Sequence, residues 1–175
     1  MTPYTVHQLP EITDMPTIGL YMDQLLELLD HYLGSLKRSS QDVIFTKTMV
    51  NNYVKAGVIT PPVKKKYARE SMIELMMVYY FKQIFSINDT AALVTLIMNA
   101  HQDNRIAAYE TFKNRVTALT TKPPSTSDDK SSKSRINGSE SHTANVDTVL
   151  HYALSAVIEK QRAEYYMDTL NTVEI

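Results

Sequence analysis

The sequence predicts an all-helical protein, and three observations carry that expectation. Glycine and proline are scarce, at four and seven of 175 residues, which leaves few breaks for a loop-rich or multi-stranded chain. Hydrophobic residues make up 43% of the chain, enough to build a core and to exclude wholesale disorder. Most of those residues recur at three- and four-residue steps, the period of an amphipathic helix.

A first helix is expected from about Tyr21 to Leu33, where Leu25, Leu26, Leu28, Leu29, Tyr32 and Leu33 make one broad face and Asp23, Glu27 and Asp30 the other. Gly34 is a natural stop. After a polar loop, Thr46 is placed to cap a short helix running to Ala56, and Gly57 supplies the left-handed residue that ends it. Pro61 and Pro62 then forbid helix, so residues 58–67 read as a short extended excursion with too few residues for a sheet. Helical periodicity returns from about Arg69 to Phe85 through Met72, Ile73, Leu75, Met76, Tyr79, Tyr80 and Ile84. Ser86 and Asp89 form a capping pair for a helix carrying Ala91, Leu93, Val94, Leu96 and Ile97, and another helix spans about Asn104 to Leu119.

Residues 121–143 are rich in Ser, Thr, Lys and Asp, cannot bury enough surface to offset their ordering entropy, and read as a linker. A last helix, about Ala144 to Leu170, carries Val146, Val149, Leu150, Ala153, Leu154, Val157, Ile158 and Tyr165 on one face, which must cover either the helical body or a second copy of the chain. The expected organisation is therefore an N-terminal extension (1–20), a helical body (21–120), a linker (121–143) and a C-terminal helix (144–175).

Composition excludes several chemistries. Without cysteine there are no disulfides, thiolate metal sites or cysteine nucleophile, and a cytoplasmic location fits. No Gly-rich phosphate loop, nucleophile elbow or zinc-protease motif is present, so no enzymatic activity and no cofactor are expected. His7, His31, His101, His142 and His151 are scattered, with no metal-ligand spacing, and Glu70 and Glu74, one helical turn apart, read as a solvated face. The opening residues lack a secretory signal pattern, and no apolar run is long enough to cross a membrane.

Charge is informative only when divided along the chain. The formal net charge is -1, yet residues 1–45 carry -4, 46–82 carry +5, 83–120 are neutral, 121–143 carry +1 and 144–175 carry -3. The basic block coincides with the short helix and the Pro-rigidified excursion. In that helix Met49, Val50, Tyr53 and Val54 lie on one side, and Lys47, Thr48, Asn51, Asn52 and Lys55 on the other. Such a polar outer face suits a major groove, where amides can read base edges and lysines reach phosphates; Lys64, Lys65, Lys66 and Arg69 are placed to hold the backbone.

Residues Thr46 to Leu96 resemble the winged helix-turn-helix of the MerR family: a capped helix with Val50-Asn51-Asn52-Tyr53, then Gly57-Val58-Ile59 and prolines, a basic wing ending in Tyr67, an acidic and apolar helix, and Ser86-Ile87-Asn88-Asp89 opening the next. The run Thr46 to Gly57 and the run Pro61 to Tyr67 are closer still to a bacterial family catalogued as domain of unknown function 1836, described as having a MerR-like DNA-binding domain. That likeness covers roughly residues 9 to 100. The resemblance implies a winged helix-turn-helix over residues 46–98, with a recognition helix at 46–56, a minimal two-strand wing at 60–67 and additional C-terminal helices. By the same resemblance the expected partner is double-stranded DNA and the expected role transcriptional regulation, while the apolar stripe of the C-terminal helix makes that helix a candidate homodimer contact.

The sequence departs from MerR in several places. Asn51-Asn52 stand where that family has an Arg-Tyr pair, the wing is several residues shorter, the Gly usual before Phe85-Ser86 is absent, and the cysteines of metal-sensing members are missing. A second reading makes the same scaffold a protein-interaction module that displays the Met- and Tyr-rich stretch Met72 to Phe85.

Overall fold

The computed structural model describes residues 7–121 and 142–173. Among these, six α-helices and one two-stranded sheet follow in the order β1 (Leu20–Tyr21), α1 (Met22–Leu33), α2 (Lys47–Lys55), β2 (Lys66–Tyr67), α3 (Arg69–Phe81), α4 (Ile87–Ala100), α5 (Arg105–Thr121) and α6 (His142–Val173). The polar stretch expected as a linker falls, for residues 122–141, outside the described residues.

α3 is the hub. Every residue from Ser71 to Phe81 is buried, so the helix is surrounded on its whole circumference rather than on one stripe. α1, α4, α5 and α6 all pack against it. Its aromatic end interlocks with α5: the Tyr80 and Phe112 rings meet edge-on at 5.3 Å, and Phe81 meets Phe112 at 6.0 Å. Edge-to-face pairs of this kind add to the area they bury. The expected continuation of this helix to Phe85 is not seen. It stops at Phe81, the Phe85 amide still bonding to the Phe81 carbonyl, and the chain turns through residues 82–85, leaving Ile84 exposed. The turn lets Ser86 cap α4: its hydroxyl oxygen accepts from the Asp89 amide at 3.1 Å and its hydroxyl donates to the Asp89 carboxylate at 2.7 Å.

Residues expected as an N-terminal extension pack onto this body. Leu9, Met15 and Leu20 are buried, and the His7 ring shares a hydrogen bond of 3.0 Å with the Tyr80 hydroxyl. Burial, with the Arg162 guanidinium nearby, pushes the His7 pKa down to about 4. The Lys113 ammonium pairs with Glu11 and Glu110, holding the same segment on α5.

α6 covers its own chain. Val146, Leu150, Ala153, Leu154, Val157 and Ile158 are buried against α3, α4 and α5. Of the stripe expected for that face, Val149 is exposed and Tyr165 half-buried. The Arg162 guanidinium donates to the Leu119 carbonyl at 2.7 Å, satisfying one of the last carbonyls of α5, and Arg38 forks onto both oxygens of Asp168 at 2.9 and 2.7 Å. No helix is long and apolar enough to cross a membrane among the described residues.

Candidate nucleic-acid interface

The nine residues of α2 are set by local chemistry at both ends. Thr46 caps the start, its hydroxyl oxygen accepting from the Met49 amide at 3.2 Å. At the other end Gly57 takes φ of 69°, its amide bonds to the Val54 carbonyl at 3.0 Å, and the Val58 amide reaches back to Tyr53 at 2.9 Å. That bonding pair is the Schellman arrangement, which needs a left-handed residue where Gly57 stands. Val50 and Tyr53 are buried and Met49 and Val54 half-buried, which leaves Lys47, Thr48, Asn51, Asn52 and Lys55 exposed together on the outer side.

The segment entering α2 is clamped from behind by Lys82, at the end of α3. Its ammonium donates to the Ile44 carbonyl at 2.6 Å and stands over the Phe45 and Tyr79 rings at 4.5 and 5.3 Å. Burial of that ammonium pushes its pKa down to about 8.

Beyond Gly57 the chain forms a tight turn at residues 63–66. The Val63 amide donates to the Lys66 carbonyl at 2.9 Å and the Lys66 amide to Val63 at 3.0 Å, while Lys64 and Lys65 take φ of 50° and 63°. Positive φ at both central residues is the type I′ turn, where Asn-Gly is the preferred pair because a Cβ costs about 1–2 kcal/mol per residue in this region. Two lysines occupy it here. Lys66 and Tyr67 then pair antiparallel with Tyr21 and Leu20, so the second strand comes from the residues just before α1 and not from the excursion itself. Gly19 permits that approach: a Cβ there would lie 3.0 Å from the Lys66 Cβ.

The base of the turn is anchored by Glu74. Its carboxylate accepts from the Thr60 amide at 2.6 Å, the Thr60 hydroxyl at 2.9 Å and Arg105 Nε at 2.9 Å, and the Ser71 hydroxyl donates to the Thr60 carbonyl at 3.0 Å. This corrects the sequence reading. Glu70 is exposed as expected, but Glu74 is only 3% exposed, because α3 lies inside the fold and three charge-assisted or backbone donors offset the desolvation of its carboxylate.

Lys64, Lys65 and Lys66 are exposed. Arg69 is half-buried, with its guanidinium on the Pro16 and Met15 carbonyls at 3.5 and 3.4 Å, so it fastens the N-terminal segment. Two residues of α1's start, not singled out by sequence, join the surface: Asp23 pairs with Lys47 at 2.6 Å, and the Lys66 ammonium lies 5.1 Å from the centre of the Tyr21 ring. Both groups of the Asp23–Lys47 pair are exposed, so it contributes at most about 1 kcal/mol and exchanges readily for another anion. No local signal in the sequence marks Tyr21, Asp23, Glu74 or Lys82 for these positions, since each acquires its role from a residue distant along the chain.

No group of three or more His, Asp or Glu residues suited to a metal ion occurs among the described residues. Neither a curated protein nor a solved structure matches the chain. One family profile does, that of Domain of unknown function (DUF1836), over residues 10–114, which contains α1 to α4, the lysine turn and most of α5. Matched over more than half its length, the chain belongs to the DUF1836 family.

Proposed function

We propose that this protein binds double-stranded DNA, and that the segment from β1 to α4 acts as a MerR-like winged helix-turn-helix in a transcriptional regulator. One observation carries the reading. Lys47 of α2 contacts Asp23, and Lys66 of the lysine turn lies on Tyr21 two residues earlier, so the two basic elements converge on one end of α1 and share a single exposed face. α2 then offers Asn51 and Asn52 to base edges with Lys47, Thr48 and Lys55 around them, and Lys64, Lys65 and Lys66 lie against the phosphates. The acidic character of residues 144–175 keeps that part of the surface off the polyanion. The strained turn supports the same reading, since two lysines stand where Asn-Gly would be relaxed, and strain of this kind gathers at functional sites.

Met72, Met76, Met77, Tyr79 and Tyr80 are buried and form no surface, which removes one of the supports of the interaction-module alternative and leaves the modest charge of the basic block and the Asn51-Asn52 pair.

Fluorescence anisotropy with mixed-sequence duplexes at several salt concentrations tests the proposal, and absence of binding at low salt overturns it. The variant Lys64→Asn/Lys65→Gly separates charge from shape: it keeps the turn, relieves strain and removes two cations. It should unfold at a higher temperature than the native chain, yet bind more weakly, with a log–log salt slope smaller by up to about 1.8. Unchanged affinity in this variant removes the lysine turn from the interface.

A further inference from the structure

The inward stripe of α6 is consumed by its own chain, but the helix has a second apolar face. Val149, Tyr152, Ala156, Glu159, Ala163, Tyr166 and Leu170 follow one another at alternating three- and four-residue steps, and every one of them is exposed. Tyr152 is 59% exposed, Tyr166 44% and Leu170 68%, with Met167 beside them at 48%. Five of the twelve large exposed hydrophobics among the described residues lie on this helix. A seam of a and d positions running over some three heptads on the solvent side is the pattern by which one helix packs along another.

We propose that this outer face is a self-association surface on which α6 packs antiparallel against α6 of a second copy about a two-fold axis near Gln161. The occupant follows from what the face itself offers. In that register Tyr152 meets Leu170 of the second copy, Ala156 meets Tyr166, and Glu159 meets Ala163, so large side chains fall opposite small or apolar ones and the two Glu159 carboxylates are offset along the axis. A parallel pair would instead set Tyr166 against Tyr166, Ala156 against Ala156 and Glu159 directly against Glu159, leaving gaps and opposing like charges. The Glu159 carboxylate at the centre of the seam is already paired at 2.6 Å with Arg162 of its own helix. From Val149 to Leu170 the seam is about 33 Å long. It buries about 1,000 Å² in total, near the lower limit for a specific interface, so the dimer is expected to form in the micromolar range. The surface lies on α6 alone, and its success or failure is independent of DNA binding by the lysine turn and α2.

Sedimentation velocity of the full chain over roughly 1–300 µM tests the proposal. A monomer–dimer equilibrium is expected, and Tyr166→Glu, with its circular dichroism spectrum and melting temperature unchanged, should raise the dissociation constant by about tenfold or more. A chain that stays monomeric throughout, or a dimer that Tyr166→Glu leaves intact, overturns the assignment. Because the chain has no cysteine, single substitutions report orientation directly. Ala163→Cys places the two thiols about 6 Å apart along the axis and should cross-link with a short bis-maleimide, whereas Tyr152→Cys separates them by about 27 Å and should not. Efficient cross-linking through Tyr152→Cys means a parallel pair and overturns the antiparallel register.

Discussion

Helices α2 and α3 are separated in the chain only by residues 56–68, which include the lysine turn, yet water treats them in opposite ways. α2 buries Val50 and Tyr53 and leaves its whole outer side to solvent, whereas α3 has eleven consecutive buried residues from Ser71 to Phe81. The difference divides their tasks. A residue of α3 is held by contacts on every side and its replacement is felt as lost stability, while the outer residues of α2 are free to be chosen for what they meet. Between them, Glu74 and Lys82 are the places where α3 reaches out, one to the base of the turn and the other to the entry of α2.

The comparison can be broken most sharply in the core. Leu75→Ala removes a fully buried side chain from α3 and should cost about 3 kcal/mol in urea or thermal unfolding, with the DNA affinity of the remaining folded fraction unchanged. A cost below that of an ordinary surface substitution would mean α3 is not the hub. Glu74→Ala tests the link between the two regions. It strands the Thr60 amide and the Arg105 guanidinium, should cost about 2 kcal/mol, and, unlike Leu75→Ala, should also weaken DNA binding because the turn loses its anchor. Equal affinity in the two variants would uncouple Glu74 from the interface.

A pH-dependent effect belongs to His7 against Tyr80 of α3. The folded-state pKa of about 4 lies below the ordinary value of 6.5, so between these values the unfolded chain takes up a proton that the folded chain refuses. Stability should therefore fall as the pH is lowered from about 6.5 to about 4, and His7→Gln should flatten that part of the profile in melting experiments. The least expected effect on stability is on the outer side of α2: Asn51→Ala with Asn52→Ala should change unfolding by no more than about 0.5 kcal/mol per residue while reducing sequence discrimination in anisotropy competition with unrelated duplexes. A large stability loss there would show that the face is not free.

Much of this arrangement is legible in the sequence where its cause is local. Thr46, Gly57 and Ser86 act within a turn of their own helix, so the ends of α2 and the start of α4 follow from residue type and spacing alone. The division of α2 into Val50 and Tyr53 inside and Lys47, Thr48, Asn51, Asn52 and Lys55 outside follows likewise from a period of 3.6 residues. Glu74 was misread for a physical reason: a carboxylate one turn from another on a helix with basic neighbours resembles a solvated pair, and the donors that make its burial tolerable, Thr60 and Arg105, come from 14 and 31 residues away. The partner of β2 was hidden in the same way, since two residues at 20–21 carry no strand signal of their own.

By itself the sequence determined a helical chain, the caps of α2 and α4, its family and the clustering of positive charge, because the caps rest on interactions within a few residues and the others on composition and pattern. Only the tertiary structure decided which apolar stripes are satisfied. It enclosed α3 from Ser71 to Phe81, laid one face of α6 on its own body and left the other uncovered, and brought Lys47 and Lys66 to one end of α1. Burial is a property of what lies opposite a residue, and periodicity can say that a face is apolar but not what covers it.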